Sequence, residues 1–189
     1  LHRVDRRQRQ MCIRDRSCGQ NDFRPGRAVM EYVCALLAVR DMERSKQFYC
    51  GLLGMEITAD FGANVTLSDG VALQTAESWQ EFLELSQDQI TFENRAAELY
   101  FEEADLDAFL QRLAVWPDLK YVHPLKEHRW GQRVVRFYDP DGHIIEVGEK
   151  MQQVVFRFLH SGLSCEETAR RMDVPLSYVE SCIREQQVP

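Results

Sequence analysis

Residues 34–75 and 98–147 repeat one order of elements, and that repetition constrains the fold more than any other feature. Cys34 to Tyr49 (CALLAVRDMERSKQFY) and Glu98 to Leu113 (ELYFEEADLDAFLQRL) each read as a strand, an acidic helix start at Asp41 or Asp105, and an amphipathic helix. In that alignment Cys34 falls on Glu98. Further on, Ser68 to Thr75 (SDGVALQT) lies on Pro140 to Val147 (PDGHIIEV), so that Gln74 takes the same strand step as Glu146. Two copies of strand, helix and three strands, about 65 to 70 residues apart, imply a duplicated module.

The end of the second copy, Arg136 to Glu149 (RFYDPDGHIIEVGE), is the most legible segment. Asp139-Pro140-Asp141-Gly142 supplies turn chemistry between two strands. Ile145 and Val147 share one face of the second strand and Glu146 the other. A carboxylate held there either lies in solvent on an edge strand or needs a cation, a proton or water to offset its desolvation.

With that internal repeat, the motifs VRDMERSKQFYCGLLG and RFYDPDGHIIEVGE resemble the vicinal oxygen chelate superfamily: glyoxalase I, bleomycin resistance proteins and extradiol dioxygenases. The resemblance covers about residues 31 to 149. It implies an α+β fold in which two βαβββ modules form a curved mixed sheet around a pocket. The inward polar positions it implies are Cys34, Gln74, Glu98 and Glu146, a ligand set for one divalent ion such as zinc, nickel or manganese. In that scheme the metal holds vicinal oxygens of a small-molecule substrate, Glu146 and Glu98 move the proton, and the activity is that of a lyase or isomerase. Two further functions are compatible with the resemblance. One is metal-free sequestration of a small molecule, as in bleomycin resistance relatives; the other is a ligand-sensing regulator. No histidine occupies a matched position, so a dioxygenase is the least expected enzyme.

The other candidates for contact with a ligand are aromatic, basic or proton-exchanging. The segment Tyr121 to Arg133 (YVHPLKEHRWGQR) has the composition of a pocket lip, with His123, His128, Trp130 and Arg133 beside a glycine, although a solvated hairpin has the same composition. The resemblance places a similar W-G segment over the pocket. Tyr100, and Trp79 on the helical stretch between the modules, complete the set; Trp79 also fits simple packing.

Charge narrows the partners. Residues 30–150 carry 11 basic and 22 acidic side chains within a whole-chain net charge of −7. Such a body repels nucleic acid and anionic membrane surfaces, so a small-molecule ligand is expected. No apolar run reaches the ~18 residues of a membrane span. The cysteines show no CxxC spacing, which with the lack of a secretory signal points to a reducing cytoplasm.

Three regions follow. Residues 1–29, with 8 basic and 3 acidic side chains and no apolar periodicity, are expected to be a disordered leader. The codons for Met11 to Asp15 resemble a transposon sequencing adapter, and Met30 stands ahead of the first strand as an initiator would, so an assembly artefact is expected rather than a transit peptide. Residues 30–149 form the duplicated domain. Residues 151–189 form a helical hairpin resembling a helix-turn-helix, with Ser164 and Glu167 as a capping box. Its second helix offers Arg184 against Glu180 and Glu185, a poor face for DNA, so packing on the sheet domain or across a homodimer is expected.

Overall fold

The structure, a computed structural model, describes residues 30–186; the expectation for the leader lies outside them. The first module runs β1 (Ala35–Val39), α1 (Met42–Lys46), β2 (Ile57–Asp60), β3 (Asn64–Leu67) and β4 (Val71–Thr75). The Asp41 side chain caps α1 by accepting from the Arg44 backbone N–H at 3.0 Å. The helix then continues as a wider π turn, Gln47–Leu52, which buries Phe48, Tyr49 and Leu52. A connecting helix, α2 (Ala76–Leu83), and an irregular linker lead to the second module. That module runs β5 (Glu98–Glu103), α3 (Leu106–Ala114), β6 (Tyr121–Glu127), β7 (Arg133–Tyr138) and β8 (Ile144–Glu149). Asp105 caps α3 through the Ala108 N–H at 3.0 Å.

Each module makes a four-stranded mixed sheet of the same topology. The orders are β1-β4-β3-β2 and β5-β8-β7-β6, with the first and last strands parallel and the rest antiparallel. The chain has the α+β architecture of two βαβββ modules that the resemblance implies. The two modules share one core. Phe48 of the first meets Phe137 of β7 edge-on at 6.2 Å, and Phe109 of α3 lies against the same ring at 6.3 Å. Val39, Leu73, Val135, Ile145 and Val147 close the cluster from the two sheets. Burying such a side chain contributes about 1.5–3 kcal/mol.

Register refines one alignment. Glu98 pairs with Ile144, two residues before Glu146, and Leu36 pairs with Ala72, two residues before Gln74. Leu36 is therefore the counterpart of Glu98, and Cys34 lies two residues earlier, ahead of β1. The strand sequences alternate in the same way under either alignment, so a shift of two keeps every face unchanged and is invisible to periodicity.

After β8 the chain forms three helices, α4 (Met151–His160), α5 (Cys165–Met172) and α6 (Leu176–Gln186). Ser164 and Glu167 make the capping box at the start of α5. The three helices bury Val154, Val155, Met172 and Val179. Helix α4 docks on the tip of the β6–β7 hairpin. Arg157 donates to the Gly131 carbonyl, Arg171 of α5 donates to the Arg129 carbonyl, and Phe158 packs on Gly131. Gly131 has φ +90°, and a β-carbon there would overlap the Phe158 ring. Gly131→Ala is expected to lower stability by about 1–3 kcal/mol through backbone strain and overpacking together. A thermal midpoint unchanged by that substitution would show that the tip and α4 are not in contact.

Candidate functional site

One face of the second sheet carries a row of four polar side chains, one from each strand. Hairpin register sets it up, because Tyr138 pairs with Ile144 and Arg136 therefore with Glu146, while His123 of β6 pairs with Arg136. The alternation that sends Val135, Phe137, Ile145 and Val147 to the core sends Arg136 and Glu146 to the opposite face. Glu98 approaches from β5. The Arg136 guanidinium joins them: Nε donates to Glu98 Oε2 at 2.9 Å, one terminal nitrogen donates to Glu146 Oε2, and the other lies 3.1 Å from His123 Nε2. His123 Nδ1 meets the Pro124 carbonyl at 2.8 Å, which requires its proton there and leaves Nε2 to accept from Arg136.

The row is electrostatically unusual at Glu146, whose side chain is 9% exposed. Burial raises its pKa to about 7; the Glu98 charge adds to the rise, and Arg136 opposes it. One guanidinium faces two carboxylates, so near neutral pH the row exchanges a proton with solvent.

Gln74, the counterpart of Glu146 in the first module, lies on the first sheet. Its Oε1 accepts from Asn64 Nδ2 at 2.7 Å and its Nε2 donates to Ser78. Asn64 pairs with Gln74 as Arg136 pairs with Glu146, so the two modules carry a neutral and a charged version of one cross-strand contact. The structure thus joins Glu98 and Glu146 through Arg136, with Gln74 on the first sheet and Cys34 ahead of β1. Among the described residues no group of three or more His, Cys, Asp or Glu side chains could hold a metal ion. As donors, Glu98 and Glu146 do not fit a resident metal ion in this arrangement. Oxygens of both already accept from a guanidinium, a cation in the position that a metal would take.

The expected pocket lip is a hairpin tip built into the packing. His128 stacks on Trp130 with ring centroids 4.3 Å apart, and Trp130 Nε1 donates to Gln132 Oε1 at 3.2 Å. Gln132 Nε2 donates to the Tyr100 hydroxyl at 2.9 Å and to the Glu149 carbonyl at 3.0 Å. Tyr100 lies over Gly148, where a β-carbon would come within 3.3 Å of its hydroxyl. Arg133 makes ion pairs with Asp107 at 2.9 Å and with Glu149 at 3.1 Å. Of the candidate ligand contacts, His123 joins the charged row, Tyr100 and Arg133 tie the hairpin to the body, and His128 and Trp130 stack within its tip. Trp79 lines a cavity of about 470 Å³ between β1, the start of β5 and the linker that follows α2. Glu98 lines that cavity as well, so the cavity and the charged row share a wall.

Arg136, Asp139 and His143 matter to these sites and were not among the residues singled out from the sequence. For Arg136 a signal existed: it and Glu146 stand at equal distances from Asp141 in the middle of the turn, as partners in a tight hairpin must.

A family model described as a glyoxalase-like domain matches residues 32–152. The chain belongs to that family, within the vicinal oxygen chelate superfamily. Among solved structures it is similar to a protein of unknown function from Agrobacterium tumefaciens str. C58, with 43% identity and TM-score 0.58 over 66% of this chain and 98% of the other. It shares its fold with a glyoxalase-related enzyme from Fulvimarina pelagi, at 19% identity and TM-score 0.55 over 65% of this chain and 90% of that one. A glyoxalase/bleomycin resistance protein/dioxygenase from Nocardioides matches at 19% identity and TM-score 0.53, covering 65% of this chain and 84% of its own. No curated protein matches the chain.

Proposed function

We propose that this chain is a small-molecule-binding protein of the glyoxalase-like family that works without a resident metal ion, in the manner of a sequestering domain. One observation carries this reading: the Arg136 guanidinium sits between Glu98 and Glu146 and already supplies their counter-charge. A cavity of about 470 Å³ beside Glu98, lined largely by apolar side chains, supplies room for a ligand of modest size. Among the described residues no helix is long and apolar enough to cross a membrane, and the body is acidic, which supports a small ligand over a membrane or nucleic-acid partner.

A metal-dependent lyase or isomerase is the second reading. The Glu146 pKa, raised to about 7 chiefly by burial, favours it, because a proton-transfer group works best near the ambient pH. Calorimetric titration with zinc, nickel and manganese separates the two. Wild-type protein is expected to bind none of them more tightly than about millimolar, whereas Arg136→Ala, with its carboxylates freed, is expected to gain affinity. Micromolar binding by the wild type that disappears in Glu146→Gln would overturn the metal-free reading and support the enzyme.

A further inference from the structure

We propose that His143, held by Asp139, is a hydrogen-bond acceptor at the wall of the linker cavity, and that the cavity takes a neutral, ring-sized apolar molecule bearing a phenol-like or enol-like hydroxyl. The inference rests on the reading of this chain as a small-molecule-binding protein and assigns the polar contact within it.

The anchor is Asp139, whose side chain is fully buried. Its Oδ1 accepts from the backbone N–H groups of Asp141 at 2.9 Å and His143 at 2.8 Å. Its Oδ2 accepts from the Tyr49 hydroxyl at 2.8 Å and from His143 Nδ1 at 2.8 Å. Burial above all, and then the Asp139 charge, hold the Tyr49 hydroxyl well above its ordinary range, so it stays a donor. The carboxylate is thereby fixed on all sides. Because Oδ2 accepts, the neutral imidazole carries its proton on Nδ1, and the Nε2 lone pair lies on the opposite side of the ring. The turn that forms this arrangement joins β7 to β8, rigid strands of the core, so the ring has little freedom to reorient.

The His143 side chain is 23% exposed and lines the cavity. Phe92 stands edge-on to the imidazole at 6.3 Å, and the Arg40 guanidinium lies over the Phe92 ring at 3.7 Å, which fixes that wall. Leu36, Trp79, Ile90 and Leu99 make the remainder largely apolar. The charged groups at the walls are Glu93 and Glu98 against Arg95, a balance that disfavours a carboxylate ligand and suits a neutral hydroxyl donor. At this largely apolar wall the Nε2 lone pair gives an apolar molecule a place to direct its O–H, a partner that its methyl ether cannot use.

Naphthol and its methyl ether test this, since they share the ring system and differ in the donor. Fluorescence titration of the full chain is expected to give wild-type affinity for naphthol at least about tenfold above that for the ether. His143→Phe, which keeps a ring against Phe92, is expected to abolish that preference, so that the two probes bind with equal affinity. Leu36→Trp, which fills the cavity from β1, is expected to weaken both. In wild-type protein the His143 Nε2 nitrogen resonance is expected to move with naphthol and not with the ether, a readout independent of any variant. Equal binding of the two probes, or a preference that survives His143→Phe, would overturn the role of His143 while leaving the cavity as a binding site. Failure of both probes to bind, or binding unaffected by Leu36→Trp, would overturn the cavity as well. Neither result depends on the metal titration that tests the proposed function.

Discussion

Glu149→Ala is expected to cost about 3–5 kcal/mol of stability and to free α4 from the second sheet, because the substitution leaves two guanidinium groups without their shared carboxylate. The Glu149 side chain is 3% exposed at the end of β8. It accepts from Arg133 at 3.1 and 3.2 Å and from Arg157 at 3.0 and 3.1 Å, two bidentate pairs on one carboxylate. Arg133 reaches on to Asp107 of α3 and Arg157 to the Gly131 carbonyl, so this node ties a module helix, the hairpin tip and α4 together. Burial alone would raise the Glu149 pKa, but Arg157 and Arg133 outweigh it and hold the carboxyl below its ordinary 4.5. The stability it contributes is therefore fully present above 4.5 and is lost as pH falls through the lowered value. Urea unfolding of the variant, with hydrogen exchange of residues 151–160, measures both effects. A loss under about 1 kcal/mol with unchanged exchange would mean that helix packing alone holds α4 in place.

The fold was legible in the sequence because its two strongest signals are local and repeated. Asp41 and Asp105 start helices, and turns rich in Asp and Gly join alternating strands, in both modules. Tertiary contacts hid the remainder. Arginine, tryptophan and histidine beside a glycine describe a ligand lip and a structural hairpin tip equally well; Tyr100, Glu149 and Phe158, which hold the tip here, all lie outside the segment. The placement of Cys34 beside Glu98 failed by two residues because side-chain alternation cannot distinguish shifts by an even number. Of the implied metal positions, Glu98 and Glu146 share one face of the second sheet, and the cation between them in the structure is Arg136 from the neighbouring strand. His143 was obscured differently: it falls inside a turn motif whose letters are fully explained by backbone geometry, and only the depth of Asp139 gives the imidazole an orientation.

Arg136→Met is expected to lower stability by about 3–5 kcal/mol above neutral pH and by progressively less in acid. The reason is the proton on Glu146. In the unfolded chain this carboxyl titrates near 4.5, and in the folded protein, where burial is the main cause, near about 7. Between those values the folded state holds a proton that the unfolded chain has lost, so the wild type loses stability as pH rises through the window, by on the order of 3 kcal/mol in all. Arg136 limits that loss by favouring the ionised form. Removing it leaves Glu146 facing Glu98 alone, moves the folded pKa further up and extends the decline beyond neutrality. Glu146→Gln keeps the side-chain volume and an acceptor for Arg136 while removing the titration, so its stability is expected to be flat across the same window. Urea midpoints for the wild type and both variants at several pH values from 4.5 to above 7 measure the three slopes. A wild-type curve that is flat or rises across that interval, or a Glu146→Gln curve that keeps the wild-type slope, would show that Glu146 is ionised throughout and that the row holds no exchangeable proton at neutral pH.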